Sequence, residues 1–142
     1  MWGMVARVLV PMDGSEMAET ALRYALESHP DAEIHVLNVV GEPSPMMGKA
    51  LKAALEADVE EKAREQASAV LERAREIGRE HDVEIQTEVA WGSPAKEIVA
   101  MAAEYDAVVV GSHSGSLAER LFVGNVARKV VRRSPVPVTV VR

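Results

Sequence analysis

Residues 111–126 read Gly-Ser-His-Ser-Gly-Ser-Leu-Ala-Glu-Arg-Leu-Phe-Val-Gly-Asn-Val, and the rest of the predicted fold is organised around this stretch. It follows the apolar run 107–110 (Ala-Val-Val-Val), which is typical of a strand buried on both faces of a parallel sheet. It leads into a predicted helix whose apolar stripe is Val126, Val130 and Val131 and which ends at Ser134-Pro135. A strand, a glycine-containing loop and a helix start in this order present unpaired N–H groups to an anion. The stretch therefore predicts a phosphate site.

Two residues at the predicted helix start suit such a site. Asn125 is expected to be the N-cap, because its side-chain oxygen can accept from a backbone N–H while its amide keeps donors to spare. Gly124 has no Cβ that would hold a phosphate away from the backbone. Gly111 and Gly124 also suit ordinary tight turns, so the glycines alone leave both interpretations open.

Composition excludes several classes of function. The 142 residues are expected to form one α/β domain, 1–142, and the absence of cysteine excludes disulfides, thiol catalysis and zinc–thiolate sites. The histidines show no metal-ligand spacing, so no metal site is expected. With 22 acidic against 16 basic residues and a net charge of −6, the chain is not expected to coat nucleic acid or bind an anionic membrane. No apolar run approaches membrane-spanning length and no signal segment is recognised, so a cytoplasmic protein is expected.

The remaining sequence alternates between strand and helix patterns. The predicted strands are 5–10, 34–40, 83–90, 107–110 and 136–141. The predicted helices begin after Ser15, at about Lys49, after Ser93 and after Asn125, and the second of them is expected to run to about Glu80. Residues 41–48 between the second strand and the second helix are expected to be a flexible connection. Strict alternation in 83–90 indicates a strand with one exposed face near a sheet edge, and Pro137 confines the last strand to an edge.

Strands separated by helical crossovers predict a Rossmann-like α/β fold, an open parallel five-stranded sheet with helices on both faces. The loops that follow the strands then share the carboxyl edge, where open α/β sheets bind ligands at a switch in strand order. The sequence patterns alone leave the strand order open.

Over essentially its whole length the chain resembles the universal stress protein family. The resemblance rests on the first strand leading into Pro-Met-Asp-Gly-Ser at 11–15, the Gly-Ser-Pro helix start at 92–94 and the Ser-Pro-Val-Pro-Val ending at 134–138. The family's ATP-binding signature is similar to G-x-x-G, nine residues, then G-(S/T). Gly111 and Gly124 hold that spacing, whereas Ser114 stands at the second glycine, with Gly115 one place later, and Asn125 stands at the Ser/Thr position.

The resemblance implies a strand order of 3-2-1-4-5 and binding of ATP with Mg²⁺ at the switch between the first and fourth strands. Pro11 belongs to the matching first loop, and Asp13 would face Gly111 and contact the ribose or the base. Val39 and Val110 would line the adenine pocket. The phosphates and ribose would lie against the loop and the last helix, at Gly111, Ser114, Gly115, Gly124, Asn125 and Val126. Asp13 on its own is equally well explained as a loop and cap residue.

The resemblance also implies a homodimer through the last strand, Val136 to Val141, and a dimeric nucleotide-dependent stress regulator. An exposed valine-rich edge strand is consistent with self-pairing, because such an edge aggregates unless it is covered. The alternative is a nucleotide-free dimeric interaction protein that lost ATP through Ser114. Whether the chain is an enzyme stays open, with at most slow ATP hydrolysis expected. The candidate bases near the loop are His113 and Glu119, and a lone loop histidine such as His113 is expected at the surface.

Overall fold

The computed structural model describes residues 5–41, 49–113 and 124–142, with the side chains of 49–59 left aside. Predicted features at 42–48 and at 114–123, including Ser114 and Gly115, lie outside these ranges. Within them the strands are β1 (Arg7–Pro11), β2 (Glu33–Val40), β3 (Gln86–Trp91), β4 (Ala107–Gly111) and β5 (Val138–Val141). The helices are α1 (Glu16–Ser28), α2 (Lys49–Glu80), α3 (Pro94–Ala102) and α4 (Asn125–Arg133).

The five strands form one parallel sheet in the order β3-β2-β1-β4-β5. This confirms the predicted α/β class and the predicted strand order. β1 is the central strand: Val8 pairs with Ile34 of β2 on one side and with Ala107 of β4 on the other. From β1 the chain first adds β2 and β3 on one side of the sheet and then adds β4 and β5 on the other side. This reversal of strand order places a switch point between the carboxyl ends of β1 and β4.

Two apolar layers cover the sheet. Alternate residues of β2 show the division, because Ile34 and Val36 pack with α1 and α2 whereas Leu37 and Val39 pack with α3 and α4. β4 is buried over 107–110, as its unbroken apolar run predicts. β3 and β5 are the edge strands, as predicted for both.

Strand boundaries differ from the prediction by up to three residues, and the starts of β3 and β5 show the physical reason. Residues 83–85 alternate like a strand but lie in the connection between α2 and β3, where Val83 N–H donates to Gly78 O at 2.8 Å. A Cβ built on Gly78 would overlap Ile85 Cγ1, so these residues fold back on the helix end before β3 begins. At the other edge β5 starts at Val138 rather than Val136, although Pro137 O still accepts from Val108 N–H at 2.9 Å.

Candidate functional site

A cavity of about 470 Å³ opens at the carboxyl edge between β1 and β4. This volume lies within the ordinary range of small-molecule sites. Eight of the ten predicted site residues line it, and the other two, Ser114 and Gly115, lie outside the described residues. The eight are Pro11, Asp13, Val39, Val110, Gly111, Gly124, Asn125 and Val126.

The loop after β1 forms one wall and is held by local hydrogen bonds. Ser15 N–H donates to Asp13 Oδ1 at 3.0 Å, and Ser15 Oγ accepts from Ala18 N–H at 3.2 Å, which makes Ser15 the N-cap of α1 as predicted. Gly14 between them has φ +87°, a conformation that other residues rarely adopt. One carboxylate oxygen of Asp13 therefore stabilises this turn, and the second oxygen takes no part in it.

The same loop is tied to β2 by its backbone. Met12 N–H donates to Leu37 O at 2.9 Å, and the side-chain amide of buried Asn38 donates to Met12 O at 2.9 Å. Asn38, a polar exception in an apolar strand, thus fixes the cavity wall.

Gly111 has a packing role at this site. A Cβ at this position would lie 2.9 Å from Met17 Cγ and 3.1 Å from Met17 O, where no real Cβ atom fits without a shift. Its absence lets the first turn of α1 pack directly on the end of β4. The conformational freedom of Gly111 is not the reason, because positive φ is found at Gly14 and Gly92 among the glycines of the described ranges.

α4 starts one residue earlier than predicted. Asn125 is its first helical residue, and the N-cap is Gly124, which provides no side-chain cap. The reason is a close contact: Gly124 N–H donates to Ser112 O, and a Cβ on Gly124 would lie 3.2 Å from that oxygen. The first turn of α4 has no acidic residue, so its unpaired N–H groups and partial positive charge lie at the cavity without an anionic side chain of the helix.

The apolar stripe of α4 also differs from the prediction. Ala127 and Val130 are the buried residues, whereas Val126 is 39% exposed and Val131 is 50% exposed. Val126 therefore lies at the rim of the cavity, because the helix turns this residue away from the core.

Two cavity residues carry shielded polar atoms without a hydrogen-bond partner among the described residues. They are Ser112 Oγ and both ring nitrogens of His113, and Ser112 as a whole is 0% exposed. The expectation of a surface His113 is therefore wrong: the residue is half-buried and lines the cavity. Buried polar groups are nearly always satisfied in native proteins, so these three atoms are exceptions within the described ranges.

Sequence reasoning missed much of the apolar lining. Leu37, Ile98, Pro94 and Ala18 also border the cavity. Leu37 could have been found, since it lies two residues from Val39 and shares its face of β2. Ile98 and Pro94 belong to α3, whose approach to the switch point has no signal in the local sequence.

In the described part of the chain, no group of three or more His, Cys, Asp or Glu side chains is arranged to hold a metal ion. None of the helices in these ranges combines the length and apolar character that a bilayer-crossing segment requires.

Comparisons with known proteins agree on one family. The sequence model of the universal stress protein family matches residues 4–142. Universal stress protein MJ0531 of Methanocaldococcus jannaschii is 31% identical over 140 residues, which cover 96% of this chain and 81% of that protein. Universal stress protein UspA from Lactobacillus plantarum superimposes with a TM-score of 0.82 at 25% identity, over 99% of both chains.

Two structural neighbours were solved with nucleotides. A universal stress protein in complex with cAMP matches 99% of both chains at 24% identity, with a TM-score of 0.69. An Arabidopsis thaliana family protein with AMP bound matches 96% of this chain and 90% of its own at 16% identity, with a TM-score of 0.63. At these identities the two structures show a shared fold.

Proposed function

The chain belongs to the universal stress protein family, and from that premise we propose that it binds ATP, with Mg²⁺, in the cavity between β1 and β4. The observation that carries the proposal is the division of this one cavity into an apolar side and a donor-rich side. A nucleotide has the same division, with an apolar base at one end and anionic phosphates at the other.

The apolar side suits a purine base. Leu37, Val39 and Ile98 border it, and Val110 adds a fourth aliphatic side chain. Asp13 lies beside this surface with a carboxylate that can accept from a ribose hydroxyl or from the exocyclic amino group of adenine. Guanine has a carbonyl oxygen at the corresponding position, so a carboxylate acceptor there favours ATP over GTP.

The donor-rich side suits phosphate. The N–H groups of Asn125, Val126 and Ala127 have no intrahelical acceptor, and the Asn125 side-chain amide lies beside them at the cavity. The helix dipole contributes about 0.3–1 kcal/mol per anion, up to roughly 2 kcal/mol when partly buried. Several direct N–H contacts would therefore supply most of the phosphate affinity. Family members solved with cAMP and with AMP support a nucleotide ligand for this fold.

Magnesium fits this site as part of the ligand. Mg²⁺ usually keeps several waters and binds largely through nucleotide phosphates, so it would enter this site bound to the phosphates of ATP. The metal would neutralise phosphate charge.

At the level of the whole protein, we propose a cytoplasmic dimer, one domain per chain over 1–142, that reports nucleotide state to other proteins. The free edge of β5 would pair with its twofold mate. The alternative, a nucleotide-free interaction protein, is favoured by Ser114 in place of the second motif glycine.

Isothermal titration calorimetry of nucleotide-stripped protein tests the proposal, with Mg²⁺–ATP, AMP and GTP as separate titrants. We expect saturable binding of ATP, stronger than that of GTP. Val39→Phe should abolish binding by filling the base side, whereas Val89→Phe, a control on β3 that does not border the cavity, should bind normally. No heat from the native protein but clear binding by Ser114→Gly would favour the nucleotide-free alternative.

A further inference from the structure

The exposed face of α4 concentrates positive charge. The helix has four basic residues among its nine and no acidic residue, whereas the whole chain has a net charge of −6. All four basic residues are exposed. Val131 between them is 50% exposed, the highest value for a large hydrophobic residue in the described ranges. We call the five residues together the α4 surface: Arg128, Lys129, Val131, Arg132 and Arg133.

The basic residues of the α4 surface differ from the arginines elsewhere in the fold. Each arginine between residues 5 and 113 forms a salt bridge with a glutamate. Arg73, for example, lies 3.1 Å from Glu19 Oε1 and 3.1 Å from Glu76 Oε2. Within the ranges that the structure describes, none of the four basic residues of α4 has a carboxylate partner. Their charges are therefore available to another molecule.

Helix stability does not explain this charge. Like charges four residues apart destabilise a helix, and α4 has two such pairs, Arg128 with Arg132 and Lys129 with Arg133. The macrodipole favours basic residues in the last turn, which accounts for Arg132 and Arg133. Arg128 and Lys129 lie a turn or more before the helix end, where the dipole gives them no such advantage.

These features together match one kind of partner. A guanidinium binds a carboxylate through two parallel hydrogen bonds, and arginine clusters recognise acidic segments of proteins. We propose that the α4 surface is a docking site for an acidic segment of another protein. Carboxylates of that segment pair with Arg128, Lys129 and Arg132, and one of its aliphatic side chains packs on Val131. The inference goes beyond the proposed function and does not require that a nucleotide binds.

The charge of the whole molecule favours a short acidic segment over an extended polyanion. Salt confines the attraction of the α4 surface to about 8–10 Å at ordinary ionic strength. A nucleic acid or an anionic membrane extends well beyond that distance and meets the rest of a chain whose net charge is −6. A segment of a few residues can lie along α4, a helix about 14 Å long, without extending over the acidic remainder.

Fluorescence anisotropy with nucleotide-free protein tests the inference. The probe is a short fluorescein-labelled peptide of glutamate and leucine, and the control probe has glutamine in place of every glutamate. We expect saturable binding of the acidic peptide that weakens as the salt concentration rises, because the contacts are ionic. The glutamine peptide should not bind.

Two kinds of variant assign the binding to the α4 surface. The triple variant Arg128→Gln, Lys129→Gln and Arg132→Gln should weaken binding of the acidic peptide by about tenfold or more, because it removes three charges that pair with carboxylates. Val131→Ser leaves the charge unchanged and should also weaken binding, since it removes the apolar contact. Sedimentation equilibrium and thermal unfolding check that both proteins keep the native fold and assembly.

The matched control makes the same charge change on α2. Arg73→Gln, Arg75→Gln and Arg79→Gln together replace arginines that already pair with glutamates, so this variant should keep at least half of the native peptide affinity. Equal losses in the α4 and α2 variants would show an effect of net charge alone and overturn the inference.

Other results would also contradict it. Native protein that binds the acidic peptide no better than the glutamine peptide would overturn the inference. Tighter binding of a DNA duplex or of phosphatidylserine vesicles, lost in the α4 triple variant, would overturn the assignment to an acidic protein segment. None of these results bears on the proposed function, which the nucleotide titration decides separately.

Discussion

Single glycines differ in what their missing side chain allows. Gly111→Ala should destabilise the protein by about 1–3 kcal/mol, because the new Cβ would overlap Met17 at the start of α1. Gly41→Ala is the matched control, since a Cβ there meets no atom of the described chain within 4 Å. Urea unfolding of both variants measures the difference, and equal free energies of unfolding would contradict the packing role given to Gly111.

The buried hydroxyl of Tyr105 is expected to make the stability of the protein depend on pH. Its hydroxyl lies 2.9 Å from His35 Nδ1, and His35 Nε2 lies 2.9 Å from Glu33 Oε1. Burial, with the negative charge of Glu88 next in size, raises the pKa of Tyr105 to about 12. The phenol of the unfolded chain has a pKa of about 10, so the folded state holds this proton more tightly. The protonated phenol of Tyr105 therefore stabilises the folded state fully below about pH 10, and this stabilisation is lost as the pH rises through about 12.

The measurement is the free energy of unfolding of native protein and of Tyr105→Phe across that alkaline window. Native protein should be more stable at neutral pH by about 1 kcal/mol, the net worth of a hydrogen bond, and the difference should shrink as the phenol ionises. Tyr24→Phe, at a residue 43% exposed, serves as the control. A difference that does not vary with pH would contradict the account.

At the scale of the element, two serines at helix starts show that an N-cap residue in the sequence does not always make a capping hydrogen bond. Both Ser15 and Ser93 occupy N-cap positions, but Ser15 Oγ accepts from Ala18 N–H whereas Ser93 makes no side-chain cap hydrogen bond. Ser15→Ala should therefore cost about 1 kcal/mol of stability, and Ser93→Ala distinctly less. Thermal unfolding of the two variants checks this, and equal losses would show that the cap bond of Ser15 contributes nothing.

The elements also show how far sequence reasoning extends. Long periodic or unbroken apolar patterns gave β4 and the limits of α2 correctly, because burial on a face requires those residues wherever the chain goes. The patterns failed at element ends that close contacts decide. Residues 83–85 pack on Gly78, and the contact of Gly124 with Ser112 starts α4 one residue early. His113 was misplaced for a related reason, since a lone histidine has no periodicity that shows which surface covers it.

At the scale of the whole molecule, alternating strands and helices predicted the parallel sheet, whereas the strand order came from the family resemblance. Local patterns do not determine which strands become neighbours. The cavity depends on that order, because Asp13 and Gly111 border the same cavity only when β4 lies beside β1. Its remaining wall comes from α3, through Pro94 and Ile98.

The proposed dimer gives a prediction at the same scale. Pro137 O accepts from Val108 N–H of β4, and Val141 O accepts from Ser112 N–H just after β4. Because successive residues of a strand point to opposite sides, Val140 N–H points towards the free edge of β5. Val140→Pro removes that donor and should convert a dimer of two 15.4 kDa chains into monomers. Val89→Pro changes the corresponding outward position on β3, the opposite edge, and should leave the dimer intact. Sedimentation equilibrium decides, and a dimer that persists in Val140→Pro would exclude pairing through β5.

The central claim is that an adenine nucleotide occupies the cavity between β1 and β4 with its phosphates at the start of α4. A crystal structure of the protein grown with Mg²⁺–ATP tests it most directly. The account predicts the base against Val39 and Leu37, and phosphate oxygens within hydrogen-bond distance of the N–H groups of Asn125 and Val126. A nucleotide bound elsewhere, or bound here with its phosphates turned away from α4, would contradict the account.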